Sequence, residues 1–107
     1  MLRPEMSELP TGPGSYQFKD ELGRIIYVGK AANLRSRVAS YFVDPALLHT
    51  RTAAMVNAAT EVVWIEVDSE VAALMLEYNL IKQHRPRFNV RLRDDKSYAF
   101  LAVTVDE

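Results

Sequence analysis

Apolar and polar positions alternate most regularly between Gly14 and Lys30. Tyr16 and Phe18 alternate with Ser15, Gln17 and Lys19, and Ile25 and Tyr27 alternate with Ile26 and Val28. Two period-two runs around a polar segment ending in Gly23 predict a β-hairpin. Gly23 suits the left-handed position that closes a four- or five-residue loop. With Lys19 opposite Arg24, Phe18 faces Ile25, Tyr16 faces Tyr27 and Gly14 faces Gly29. That register sets two phenols across from each other on one face. Plain aromatic packing gives the same pattern, so the meaning of this face depends on what the rest of the chain brings to it.

The period then changes to 3.6. Leu34, Val38 and Phe42 form the apolar stripe of a helix over 34–42, with Asn33 as its N-cap. Arg37 and Tyr41, four apart, share one edge of it. The second strand therefore runs through Gly29 and Lys30 straight into a helix start, whose backbone N–H groups suit an anion. The G-x-x-x-x-G-K-S/T spacing of a P-loop is absent. Asp44-Pro45 breaks the chain. His49 to Ala59 reads as a second helix with Thr52, Ala53, Val56 and Ala59 on a soft apolar face. Glu61 to Val67 is β-rich, and its central apolar stretch predicts cover on both faces. Asp68-Ser69 caps a third helix from Glu70 to about His84, which Pro86 terminates. Before the hairpin, Pro4, Pro10, Gly12 and Pro13 mark an irregular lead-in with a short helical turn at Met6 to Leu9. After the third helix, Asp94 to Ser97 reads as a turn and Tyr98 to Val105 as an extra C-terminal strand at a sheet edge. The class is a small mixed α/β (α+β) domain over 1–107.

One position breaks the pattern of the third helix. The i±3 and i±4 neighbours of Glu77 are Ala73, Leu74, Leu80 and Ile81, all apolar. A charge buried without a partner costs several kcal/mol, roughly. Glu77 therefore calls for an arginine partner, a metal, or a rim position facing a cleft. Glu70, two turns away, sits where a carboxylate interacts favourably with the helix dipole and reads as structural. His49 and His84 also read as structural.

Composition narrows the classes further. Apolar content of 49% and charged content of 25% are globular, not disordered. No apolar window is long enough to span a membrane, and the N-terminus has no signal-peptide pattern. With no cysteine, disulfides, thiolate metal sites and thiol catalysis are excluded, and a reducing, cytoplasmic setting is expected. The formal net charge is −1, but it is unevenly spread. Lys30, Arg35, Arg37 and Arg51 lie against Asp44 alone. Residues 61–77 hold only acids, and Lys82, Arg85, Arg87, Arg91 and Arg93 follow with none. A polyanion responds to such local fields more than to the total. One buried-face carboxylate with water and phosphate oxygens suits Mg²⁺ or Mn²⁺. A tyrosine would then serve as base, Lys30 and Arg37 lowering its pKa, with Arg37 stabilising charge on the phosphate. The chain ends in an apolar run, as expected of a domain belonging to a longer protein.

The residues that carry this chemistry also carry a resemblance. Gly14-Ser15-Tyr16, ten residues, then Tyr27-Val28-Gly29 resembles the signature of the GIY-YIG nucleases. Arg37 and Tyr41, Glu77 in Leu76-Glu77-Tyr78-Asn79-Leu80-Ile81-Lys82, and Asn89 in Arg85-Pro86-Arg87-Phe88-Asn89-Val90 extend it over nearly the whole chain. Tyr27 to Arg35 and Arg93-Asp94-Asp95-Lys96-Ser97-Tyr98 are similar to the subfamily of bacterial excinuclease C subunits. Ala99 departs from the proline expected there. The resemblance implies a central antiparallel three-stranded sheet flanked by helices, and a domain that makes the incision 3′ to a lesion in damaged double-stranded DNA, working with UvrB after UvrA. It implies Glu77 as ligand of a single divalent ion and Tyr27 as general base. It places Arg37 and Tyr41 at the scissile phosphate, with Tyr16, Lys30 and Asn89 completing the catalytic set. Gly29 would allow close approach of the substrate, with Asn33 and Arg35 beside it. The isolated domain is expected to be monomeric. A non-catalytic DNA- or partner-docking module on the same fold, or another GIY-YIG nuclease, are the alternatives. Tyr27, Arg37, Glu77 and Asn89 together argue against the first, and the Lys82 to Lys96 segment against the second.

Overall fold

The computed structural model describes Met1 and residues 3–89. The turn read at Asp94 to Ser97 and the strand read at Tyr98 to Val105 lie outside them. Three antiparallel strands form one sheet in the order β2-β1-β3, with β1 (Gly14–Lys19) between β2 (Ile25–Ala31) and β3 (Glu61–Glu66). The helices are α1 (Leu34–Ala39), α2 (Thr50–Ala58) and α3 (Glu70–His84), with short 3₁₀ turns at Met6–Glu8, Pro45–Leu47 and Arg87–Asn89. None of the described helices is long and apolar enough to cross a membrane.

The hairpin forms where the alternation places it, in a different register. Tyr16 pairs with Gly29 and Phe18 with Tyr27, not Tyr16 with Tyr27 and Phe18 with Ile25. Two one-residue shifts explain the difference. The turn closes one position wider, with the Asp20 N–H donating to the Arg24 carbonyl and Gly23 at φ 78°. A bulge between Phe18 and Lys19 adds the second shift. Either alone would turn β2 over; together they keep Tyr16, Phe18, Tyr27 and Gly29 on one face.

That face holds the core. Tyr16, Phe18 and Val62 pack with Leu34 and Val38 of α1, Tyr41, Met55 and Ala59, and Leu9 of the lead-in. The opposite face of β1 buries Ser15 and Gln17, and α3 packs along β1 and β2, burying Ala73 and Ile81. The strand covered on both faces is thus β1. β3, expected to be so, is an edge strand with Ile65 44% exposed.

Helix ends follow their caps. Asn33, His49 and Ser69 each accept a backbone N–H at the start of α1, α2 and α3. α3 stops at Arg85 in the left-handed conformation, just before Pro86. α1 ends at Ala39, short of the expected Phe42. Its last turn tightens, with Tyr41 N–H bonding to the Val38 carbonyl and Phe42 N–H to that of Ala39. Tyr41 therefore leaves the edge it would have shared with Arg37 and turns into the core, where it is 8% exposed.

Candidate active site

The pairing of Tyr16 with Gly29 sets the geometry. A Cβ on Gly29 would lie 2.3 Å from the Tyr16 Cζ and hydroxyl oxygen. The room that glycine leaves is filled by the Tyr16 phenol, not by an approaching substrate as expected. Gly14 is packed as closely, against the Ile65 carbonyl and Leu34. The Tyr16 ring reaches Tyr41, and the two hydroxyls share a 2.6 Å hydrogen bond. Phe18 stands edge-on to both rings. Tyr27, with its ring centroid 6.3 Å from that of Tyr16, completes the cluster.

The three phenols differ in access. Tyr16 is 2% exposed and Tyr41 8%, whereas Tyr27 is only half-buried. Burial pushes the Tyr16 pKa far above its ordinary value, with Tyr41 and Tyr27 adding and Arg37 opposing. Burial also raises that of Tyr27, the Tyr41 phenol and the Glu77 carboxylate adding and Arg37 opposing. This corrects the expectation that Lys30 and Arg37 draw the base downward. Arg37 acts in the expected direction, but desolvation is larger.

α3 brings Glu77 to this group on its inward side, half-buried between the turns of Ala73 and Ile81. Burial pushes its carboxyl up to about 7, with the Lys30 ammonium pulling the other way. No salt bridge engages Glu77 among the described residues, so the arginine partner considered from sequence is not found there. No cluster of three or more His, Cys, Asp or Glu side chains stands ready to cage a metal among them. A lone desolvated carboxylate fits a hard divalent cation that keeps most of its water.

Other candidates are occupied elsewhere. Asn89, 1% exposed, accepts the Val28 N–H at 2.8 Å and donates to the Val28 carbonyl at 3.0 Å. Its amide thus acts as a short added strand on the free edge of β2, between Tyr27 and Gly29. The Asn33 side chain caps Ser36. The Arg35 guanidinium holds the Leu9 and Ser7 carbonyls. The α1 start is not the anion site its position had indicated. Leu34 and Arg35 N–H groups bond to the Gly12 and Pro10 carbonyls, and Arg37 N–H to that of Asn33. Exposed Lys30 and Arg37 remain as the cations of the site.

Two contributions escaped the sequence reading. The Ser15 hydroxyl, buried beside the phenols' strand, donates to the Gly29 carbonyl at 2.8 Å. Asp20 accepts from Leu22, from the backbone and side chain of Arg24, and lies 3.7 Å from Arg87. Arg87 thereby ties the segment carrying Asn89 to the hairpin turn. A carboxylate opening a hairpin turn was the available signal for the second; nothing marked the first.

A hairpin whose phenols meet an arginine from the next helix and a lone carboxylate from a distant one, on a β2-β1-β3 antiparallel sheet, defines the GIY-YIG class of nuclease domains. Within that class, a family model described as the UvrC-like GIY-YIG domain matches residues 12–90, and the chain belongs to this family. It is 58% identical over 106 residues to the UvrABC system protein C of Thermobifida fusca, covering 99% of this chain and 16% of the relative. It is 60% identical over 105 residues to that of Acidothermus cellulolyticus, covering 98% of this chain and 16% of the relative. The chain thus spans about a sixth of the length of these relatives. Its structure is similar to the GIY-YIG N-terminal endonuclease domain of UvrC from Thermotoga maritima bound to its catalytic magnesium. The TM-score is 0.69 with 37% identity, over 78% of this chain and 90% of that one.

Proposed function

We propose that this chain is a divalent-metal-dependent endodeoxyribonuclease domain that hydrolyses the phosphodiester 3′ to a lesion in nucleotide excision repair. Its substrate is damaged double-stranded DNA, its partner UvrB, loaded by UvrA, and its location the cytoplasm. The observation that carries the reading is the half-buried Glu77, which has no salt-bridge partner among the described residues and lies close enough to raise the Tyr27 pKa. A docking module has no use for a carboxylate so placed. Family membership and the magnesium held by the Thermotoga maritima domain support the same reading.

Glu77 would hold Mg²⁺ or Mn²⁺. When bound, such an ion supplies Lewis-acid polarisation of the phosphate and positive charge beside the phenols. Tyr27, the most accessible phenol of the cluster, would take the proton of the attacking water as its phenolate, a form that Arg37 and the charge of a bound ion favour and burial opposes. Tyr16 and Tyr41 hold each other through their shared hydrogen bond and so set the wall against which Tyr27 packs. Arg37 stabilises the charge that builds on the phosphate oxygens, and Lys30 attracts the strand. Asn89 acts at one remove, by holding Val28.

The test is Glu77→Ala in the full-length protein. The 3′ incision should be lost while circular dichroism and thermal unfolding stay native-like. Unaltered incision would reject the assignment. Tyr27→Phe should also abolish cutting with Mn²⁺ binding preserved. Normal cutting by that variant would move the base to Tyr16, Tyr41 or a water.

A further inference from the structure

α3 has a second face that the site does not use. Val71, Leu74, Met75 and Tyr78 are 67%, 36%, 61% and 54% exposed. They recur at i, i+3, i+4 and i+7, the spacing of one continuous apolar stripe. Single exposed apolar residues are ordinary, but four large ones in line form a surface that calls for cover. Nucleic acid does not supply it, because Glu66, Asp68 and Glu70 are exposed around the start of the helix and repel phosphate. The chain itself holds a candidate. Residues 90–107 lie outside the described structure and include the run Phe100-Leu101-Ala102-Val103-Thr104-Val105. The described chain stops at Asn89, a few residues beyond the end of α3 at His84. Residues 90–99 can span up to roughly 33 Å, and the stripe runs from about 9 to about 20 Å back along α3 from His84. The tether is long enough for the run to reach every residue of it.

We propose that the Val71-Leu74-Met75-Tyr78 stripe is a docking surface for the Phe100–Val105 run of the same chain. Burial of apolar surface on both partners drives the contact. The chain has no cysteine, so paired cysteines report on it directly. Met75→Cys is combined with Leu101→Cys, Val103→Cys or Val105→Cys, one at a time, in the 107-residue chain, and mildly oxidised. At least one pair should close a disulfide within the monomer, at a rate independent of protein concentration. It should close at least about tenfold faster than when the same tail cysteine is paired with Leu22→Cys on the hairpin turn, where Leu22 is 70% exposed. Equal rates at 75 and 22 would show a tail with no preferred seat. Disulfide-linked dimers that rise with concentration would give the stripe to a second copy. No disulfide at any of the three positions would leave it to another protein. Each of these three results overturns the proposal.

Discussion

At residue scale, a carboxylate at 77 and a phenol at 27 both lose hydration and gain only distant charges in return. The direction of each shift is set by that loss. For Glu77 the sign of the consequence is definite. Its pKa rises from an ordinary 4.5 to about 7 in the folded, metal-free chain. The folded state therefore favours the protonated form. The associated stability is fully present below about pH 4.5 and is lost as pH rises through about 7, by up to roughly 3 kcal/mol. Urea unfolding of the metal-free chain should show this slope, and Glu77→Gln should remove it. The same proton competes with a metal. Mn²⁺ affinity measured by calorimetry should fall about tenfold from pH 8 to about pH 6. An affinity flat across that range would mean the ion binds elsewhere. Gly29 gives a steric test. In Gly29→Ala the new methyl meets the Tyr16 hydroxyl at 2.3 Å, so the ring must move, which disturbs its bond to Tyr41. A loss of about 1–3 kcal/mol together with loss of cutting is expected. Gly23→Ala, strained only by its positive φ of 78°, should cost about 1–2 kcal/mol and leave cutting intact.

At element scale, the working surface belongs to an edge strand, and the Asn89 amide braces that edge. In Asn89→Ala both hydrogen bonds to Val28 go, and a buried N–H is left unpaired. The expected loss is about 2–4 kcal/mol by thermal unfolding, with kcat for incision reduced and Mn²⁺ affinity kept, since Glu77 is untouched. A weakened metal affinity with normal kcat would instead make Asn89 part of the ion's surroundings. This bond also shows what could be read in advance. α3 was legible to within a residue, because Ser69 and Pro86 act locally. The convergence of Tyr16, Tyr27, Arg37 and Glu77 was half legible: an apolar surrounding made Glu77 conspicuous, and resemblance supplied its companions. Asn89 as a brace was not, since it joins positions 61 residues apart and its side chain looks the same whether it will bond a phosphate or a backbone. The hairpin register failed for a similar reason. Alternation reports faces, and two compensating one-residue shifts leave every face unchanged. The early end of α1 depends on Tyr41 finding Tyr16, again a contact no local pattern contains.

At the scale of the whole molecule, charge is divided between the two edges of the sheet, β2 and β3. Lys30 and Arg37 are exposed beside the phenols, and Arg51 and Arg87 stand over the Phe88 ring at 5.8 and 5.2 Å. Glu61, Glu66, Asp68 and Glu70 are exposed on β3 and the start of α3. A formal net charge of −1 would predict weak repulsion of DNA if the molecule acted as a point. At ~0.15 M salt the screening length is about 8 Å, and Glu70 lies roughly 10 Å along α3 from Glu77. A strand held at the site is therefore largely shielded from Glu70 and the acids around it. Two substitutions should separate local from global electrostatics. Arg37→Ala removes one unit at the site and should flatten the slope of log affinity against log salt by about 0.7–0.9, one phosphate contact. Glu70→Lys adds two units of positive charge to the total, yet should change the affinity at that salt by less than about threefold and leave the slope unaltered. Duplex binding by fluorescence anisotropy across a salt series reads both. If Glu70→Lys tightens binding more than Arg37→Ala weakens it, net charge governs the encounter. The separation of a basic working edge from an acidic one would then have no part in placing the DNA.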